Sequence, residues 1–381
     1  MYSTQLRLQI AVGGAIYEVF ETDRNDVQAK GKKMKRTGLW GILSVALVFA
    51  FLAVPLQAAT PEKPLILKFA GWTPPQHPFS RSGIWIVQEM ERRSQGRIKV
   101  EYYWSNSLIP APQLIDALQK WVADIAFINP AYQPGKMPLL SVISISVGDV
   151  CPSAKALQEL MQMPEVKAEL DGLNMRYLGP LTNNSYGVWT RSKQVRNLGD
   201  LKGLKIRAVG NHANLLHALG GVPVAMAPTD IYQAIEKGTL DGALANPSFA
   251  LGYKWDEVTK YYNPLPFGGL GQFVAINKSS WEKLPPDLQK RVAAIHDTAC
   301  GAGHEIYQGG GEVLLQQAVA QGKTIVTQPS QEDAAKVRDV TQAKIGDDWV
   351  DKMNKRGLPG QKVLNRWLEL LAKWHGARAF E

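Results

Sequence analysis

ALQKWVADIAFINP (Ala117–Pro130) and AIEKGTLDGALANP (Ala234–Pro247) align without a gap, 117 residues apart. Identical residues fall at Ala117/Ala234, Lys120/Lys237, Asp124/Asp241, Ala126/Ala243, Asn129/Asn246 and Pro130/Pro247. Six matches in fourteen positions are several times what about twenty residue types give by chance. Each copy reads as the end of an amphipathic helix, a short turn, and an apolar strand stopped by Asn-Pro. Proline has no N–H for a strand ladder, so the strand halts and the asparagine stands at its carboxyl end. Ligands of open α/β sheets sit beyond the carboxyl ends of strands. Two such ends predict an α/β chain of two lobes that share a cleft. The alternative reading is a chance match between two helix–strand units.

The flanking sequence keeps the same rhythm. Ile66–Trp72 and Arg97–Trp104 read as strands, separated by a helix that Ser80 or Ser82 caps and that runs to Ser94. Gly203–Val209, Gly221–Met226 and Leu240–Asn246 are the strands of the second half, with helices at Asn214–Leu219 and Asp230–Lys237, the latter capped by Thr229. Gln272–Asn277 is a strand expected to return to the first lobe. Alternation of this kind implies βαβ units and mostly parallel sheets flanked by helices. Pro286 to about Gly322 is helical in pattern and long enough to brace both lobes. In Leu364–Gly376, Trp367, Leu368, Leu371 and Trp374 form a packing stripe. The boundaries follow: 60–184 with 272–312 as lobe I, and 185–271 with 313–381 as lobe II plus the C-terminal helices.

The amino terminus has a different character. Lys32, Lys33, Lys35 and Arg36 precede an apolar run from Leu39 to Val54, then Pro55 and the small residues Ala58-Ala59. A basic, an apolar and a small-residue region in that order read as a cleavable signal peptide over 34–59, with an uncleaved anchor as the alternative. Residues 1–33 read as an upstream extension ahead of a natural start at Met34. Without residues 1–59, which carry seven Lys/Arg and four Asp/Glu, the formal net charge falls from +9 to +6. The remaining basic residues are dispersed, so a nucleic-acid footprint is not supported. The two cysteines, Cys151 and Cys300, permit one disulfide in an exported chain or two buried thiols.

Catalytic and cofactor patterns are missing. The six histidines, at 77, 212, 217, 296, 304 and 375, fall in no metal-ligand spacing. There is no CxxC, P-loop, GxSxG or GxGxxG after a strand. No cofactor and no metal are expected, and a binder is favoured over an enzyme.

Several segments together resemble the periplasmic substrate-binding proteins of tripartite ATP-independent (TRAP) transporters. HPFSRSGIWIVQEMERRSQGRIKVEYYWSNSLIPAPQLIDALQKWVADIAF (His77–Phe127) is similar to that family's opening βαβ pattern. LGDLKGLKIRAV (Leu198–Val209) resembles its signature around a ligand-binding arginine, and PTDIYQAIEKGTLDGALANP (Pro228–Pro247) the segment closing on asparagine and proline. The resemblance runs from about Ile66 to about Gly322 and implies a two-lobed periplasmic binding fold joined by hinge strands. It implies an exported, monomeric protein that captures a small organic carboxylate and hands it to a TRAP membrane permease. The family's arginine, which forks onto the ligand carboxylate, falls on Arg207. An arginine between Ile206 and Ala208 needs a partner if buried. On the residues alone that partner is a ligand or an internal carboxylate, and the resemblance favours the ligand.

Asn246 matches the family asparagine that hydrogen-bonds ligand. Asn129 is its counterpart in the first copy, with Tyr132 just beyond, and both read equally as turn residues. Many members carry a second arginine about twenty residues before the first, and that count lands on Gly187, beside Tyr186 and Trp189. The resemblance then replaces a cation by space and aromatic walls, to which Trp72, His77 and Phe249 add. An apolar or aromatic monocarboxylate is expected over a C4-dicarboxylate. A receptor feeding a sensor kinase and a secreted α/β enzyme are the competing readings.

Overall fold

The computed structural model describes residues 9–12, 15–18, 63–145, 149–181, 183–295 and 309–375. Met1–Pro61 and Glu62–Glu381 are separate compact units. In the first, strands β1 (Gln9–Val12) and β2 (Ala15–Glu18) pair as an antiparallel hairpin. Residues 34–59, the expected signal segment, lie outside the described residues.

The second unit holds two mixed sheets flanked by helices. Lobe I contains β3 (Leu65–Ala70), β4 (Ile98–Tyr103), β5 (Ile125–Ile128), β6 (Met175–Pro180) and β12 (Phe273–Asn277), in the order β4-β3-β5-β12-β6. Lobe II contains β7 (Gly187–Thr190), β8 (Lys205–Arg207), β9 (Val222–Val224), β10 (Gly242–Ala245), β11 (Tyr261–Asn263) and β13 (Ile325–Val326), in the order β13-β11-β7-β10-β8-β9. In each lobe all strands but one run parallel, and that one is antiparallel to both of its neighbours. That strand is β12 beside β5 in lobe I and β7 beside β10 in lobe II. The expected return of Gln272–Asn277 to the first lobe is β12.

The repeated segments Ala117–Pro130 and Ala234–Pro247 occupy equivalent places in the two sheets, and their identities have physical causes. Asp124 accepts a hydrogen bond from Lys68 N on Oδ2 at 2.8 Å, and Asp241 accepts one from Lys205 N on Oδ2 at 2.8 Å. Each aspartate thereby staples the start of its strand to the neighbouring parallel strand. Lys120 and Lys237 are both C-terminal helix caps, followed by a left-handed residue that is Trp121 in one copy and Gly238 in the other. Asn129 and Asn246 each cap a short helix that begins with proline, accepting from Ala131 N at 3.0 Å and Phe249 N at 2.9 Å. Asp241→Ala is expected to cost about 1–3 kcal/mol in chemical denaturation, because the Lys205 N–H loses its acceptor. An unchanged unfolding midpoint would remove the staple from this account.

Two of the segments that carry the chain between the lobes, 183–186 and 264–272, lie side by side. Leu181 N donates to Gln272 O at 2.9 Å, and Tyr186 N to Gly268 O at 3.0 Å. These bonds tie the two connections into one pair.

Some helix details differ from the sequence reading. The helix Pro78–Ser94 is capped by His77, whose Nδ1 accepts from Phe79 N at 3.0 Å, and not by Ser80 or Ser82. Proline fits the first helical position, so the cap falls on the residue before it. Thr229 caps nothing: Pro228 opens a 3-10 turn, and the helix is Ile231–Glu236. Gly210 begins the helix expected at Asn214. The bracing region contains helices Pro286–Ala293 and Gly310–Ala320, and residues between them lie outside the described set. The C-terminal helix Gly360–His375 packs on lobe I, not lobe II. Trp367 Nε1 donates to Ile145 O at 2.8 Å, and Arg366 and Lys373 pair with Glu159. Trp367 and Leu371 are buried, as a packing stripe requires. Cys151 is disulfide-bonded, and the chain's other cysteine, Cys300, is outside the described residues.

Candidate functional site

Arg207 ends β8, paired with Ala243 of β10 and Val224 of β9. It is only 3% exposed, yet it forms no ion pair among the described residues. Its Nε and Nη2 donate to Met226 O at 3.2 and 3.1 Å, and Nη2 also reaches Tyr132 Oη at 3.3 Å. The carbonyl thus takes the Nε edge of the guanidinium, and the Nη1/Nη2 end faces the Tyr132 hydroxyl, which a carboxylate fork would displace from Nη2. Buried charge is ordinarily matched by opposite charge, and here the match is a backbone carbonyl and a phenol.

The surroundings of Arg207 are aromatic. Tyr132, Tyr186, Tyr253 and His212 all lie in its field. Burial raises the Tyr132 hydroxyl pKa, partly offset by Arg207. Burial also pushes Tyr186 up to about 12, while its Oη accepts from Asn183 Nδ2 at 3.0 Å. His212 is lowered to about 4, first by burial and then by Arg207, so its imidazole is neutral at ordinary pH.

The lobes meet around this point. Besides Arg207–Tyr132, His77 Nε2 lies 3.2 Å from Phe249 O, and Tyr253 Oη donates to Trp72 O at 3.3 Å. Asn211 Nδ2 donates to Ser144 Oγ at 2.9 Å. Because His77 Nδ1 accepts the helix cap, Nε2 is the protonated nitrogen and donates across the cleft.

A sequence model of bacterial extracellular solute-binding proteins, family 7 (DctP), matches residues 71–357. The chain belongs to that family.

This solute-binding protein is 27% identical over 265 residues to the C4-dicarboxylate-binding periplasmic protein DctP of Rhodobacter capsulatus, covering 67% of this chain and 78% of the relative. A TRAP solute-binding protein from Rhodoferax ferrireducens, solved with copurified benzoate, superposes with a TM-score of 0.73 at 27% identity. That match covers 81% of this chain and 98% of the other. A marine-metagenome TRAP protein specific for aromatic acids, solved with 3-hydroxybenzoate, gives a TM-score of 0.75 at 22% identity, over 82% and 99% of the two chains. At that identity the last comparison speaks for the fold alone.

Among the residues singled out from the sequence, Arg207 and Tyr132 are in direct contact, and Tyr186 lies close enough for its hydroxyl to feel Arg207. Asn129 and Asn246 each accept a helix-cap hydrogen bond on Oδ1 at the carboxyl end of their strand. Trp72 is a core residue, stacked on Phe79 at 5.4 Å, with its ring edge-on to Tyr132 at 6.1 Å. His77 and Phe249 form the clasp between lobes, with ring centroids 5.4 Å apart. Trp189 stacks on Tyr262 at 4.4 Å and donates from Nε1 to Ala245 O at 3.2 Å.

Gly187 corrects an expectation. A Cβ there would lie 2.5 Å from Asn263 O and 2.6 Å from the Tyr262 ring. The place of the second arginine is not open space, because the Tyr262 ring fills it. Tyr253, Tyr262 and His212 were not picked out by sequence reasoning. Tyr253 follows the capped helix Pro247–Gly252 directly, and that position was its only signal. Among the described residues no group of His, Cys, Asp or Glu could hold a metal, and no helix is long and apolar enough to cross a membrane.

His77 and His212 make stability pH-dependent. Both fall from 6.5 in the ordinary state to about 4 in the fold. Between those values the unfolded chain binds more protons, so stability is complete above pH 6.5 and is lost as pH falls toward 4. Urea unfolding at pH 7 and pH 4.5 should show a loss of a few kcal/mol, and His77→Gln should recover part of it. Equal stability at both pH values would exclude the neutral, buried histidines.

Proposed function

We propose that the chain is a periplasmic TRAP solute-binding protein for a small monocarboxylate with an aromatic or branched apolar body. The observation that carries this is Arg207, buried, without a carboxylate partner among the described residues, and facing a tyrosine hydroxyl from the opposite lobe. A carboxylate forked on Nη1/Nη2 neutralises the charge, and Tyr132 Oη is placed to donate to the same group. Closing the lobes completes the site, so binding energy is spent on domain closure. Delivery then goes to a TRAP membrane permease, with the binding protein acting as a monomer after export by its amino-terminal signal segment.

The groups in the field of Arg207 are tyrosines and a neutral histidine. A second ligand carboxylate would be desolvated there without a cation. The benzoate found in the Rhodoferax protein supports this reading, whereas the name of the Rhodobacter relative points to dicarboxylates. Two measurements decide. Mass spectrometry of the small molecule released on denaturation should give a monocarboxylic acid. A thermal-shift panel should rank benzoate, mandelate and branched 2-oxo acids above succinate, malate and fumarate. Larger shifts with the dicarboxylates would overturn the ligand class and leave the fold reading intact.

A further inference from the structure

Lobe I carries a second cavity, of about 440 Å³, between the helix Pro164–Gly172, the start of β6 and the helix Lys278–Glu282. It lies at the end of the sheet away from the cleft. Met175 pairs with Asn277, and Asn277 N donates to Asp124 O at the amino end of β5, whereas Asn129 and the cleft are at the carboxyl end. Cavities of a few hundred cubic ångströms with an apolar floor and a few polar groups are the usual form of small-molecule sites.

Met161, Leu170 and Met175, all buried, provide the apolar floor. Over the Trp281 ring, at 4.3 Å from its centroid, lies the guanidinium of Arg176. Stacking fixes the plane of that group. None of its N–H groups has a hydrogen-bond partner among the described residues, and it joins no ion pair. Its nearest countercharge is Asp171, and Asp171 is already engaged by Lys278 at 2.9 Å. Lys167 stands on the same rim, in the field of Asp171, and Glu282 is the other carboxylate of the lining. Three cations face two carboxylates, one of which is committed.

We propose that this cavity is a second binding site, for a small organic anion, with its acid group on Arg176 and Lys167 and its apolar part on the methionine–leucine floor. Arg176 presents a rigid, pre-oriented fork, which suits a carboxylate or phosphate group better than a mobile lysine does. The site is independent of the cleft and of the reading given to Arg207.

The test follows the Trp281 indole N–H signal by NMR in protein labelled at tryptophan, the signal being assigned by Trp281→Phe. Benzoate, inorganic phosphate and benzyl alcohol are titrated in turn. Benzoate should move the signal saturably, phosphate should move it with weaker affinity, and benzyl alcohol should leave it in place. Arg176→Gln should weaken the benzoate effect about tenfold or more without altering the response at the cleft, and Arg176→Lys should fall between. A Trp281 signal unmoved by benzoate, or moved equally in Arg176→Gln, overturns the proposal. Benzyl alcohol acting as well as benzoate reduces the cavity to an apolar crevice, and phosphate matching benzoate reduces it to surface charge. Either result also overturns it.

Discussion

Replacing Arg207 with alanine is expected to weaken carboxylate binding by roughly 2–5 kcal/mol, a loss of tens- to thousands-fold in Kd. The guanidinium is 3% exposed, and its protein partners are the Met226 carbonyl and the Tyr132 hydroxyl, neither of them charged. Removing it leaves the ligand carboxylate desolvated against two neutral groups. Arg207→Lys should recover only part of the loss. An ammonium cannot hold Met226 O on one edge while offering a parallel pair of donors on the other. Tyr132→Phe tests the opposite lobe, with a smaller expected loss of about 1–2 kcal/mol. Calorimetry would show these as a graded series, and an unchanged Kd in Arg207→Ala would move the anchor elsewhere.

Gly187→Arg is expected to destabilise the fold, not to create a dicarboxylate site. Even the Cβ collides with Asn263 O at 2.5 Å and with the Tyr262 ring at 2.6 and 2.9 Å. Asn263 sits in β11, paired with Val188 of β7, and its Nδ2 donates to Val195 O at 2.9 Å, so the backbone cannot retreat easily. Overpacking of this kind costs about 1–3 kcal/mol or more, and chemical denaturation should show it already in Gly187→Ala. Adding Tyr262→Ala to Gly187→Arg should restore part of the stability and raise succinate affinity. If Gly187→Arg alone folds normally and binds succinate, the wall formed by Tyr262 is not what excludes the second cation.

The fold was legible where the sequence encodes hydrogen bonds that cannot be met otherwise. Asp124/Asp241 and Asn129/Asn246 recur because each strand needs the same staple at its start and the same cap at its end. Arg207 was legible because a charge in an apolar strand demands explanation. Its contact with Met226 was not, since a carbonyl belongs to every residue. The His77 cap was hidden behind two serines that look like better candidates, and only the proline following it gives the position away. The crowding at Gly187 depends on Tyr262, 75 positions later in the sequence and outside every motif used to place the site. The C-terminal helix shows its apolar face in the sequence but carries no sign of which lobe receives it.

The late return of β12 to the first lobe has a consequence for how the chain is made. Strand β5 is complete at Ile128, but its antiparallel partner β12 begins at Phe273. With synthesis at about 5–20 residues per second, that partner follows on the order of ten seconds later. During the interval the first lobe has an open edge between β5 and β6, both of which are waiting for the same strand. Lobe I therefore cannot reach its final sheet as a nascent fragment, although nearly all of its residues are already present. A chain arrested before Phe273 should remain loosely packed and sticky at that edge.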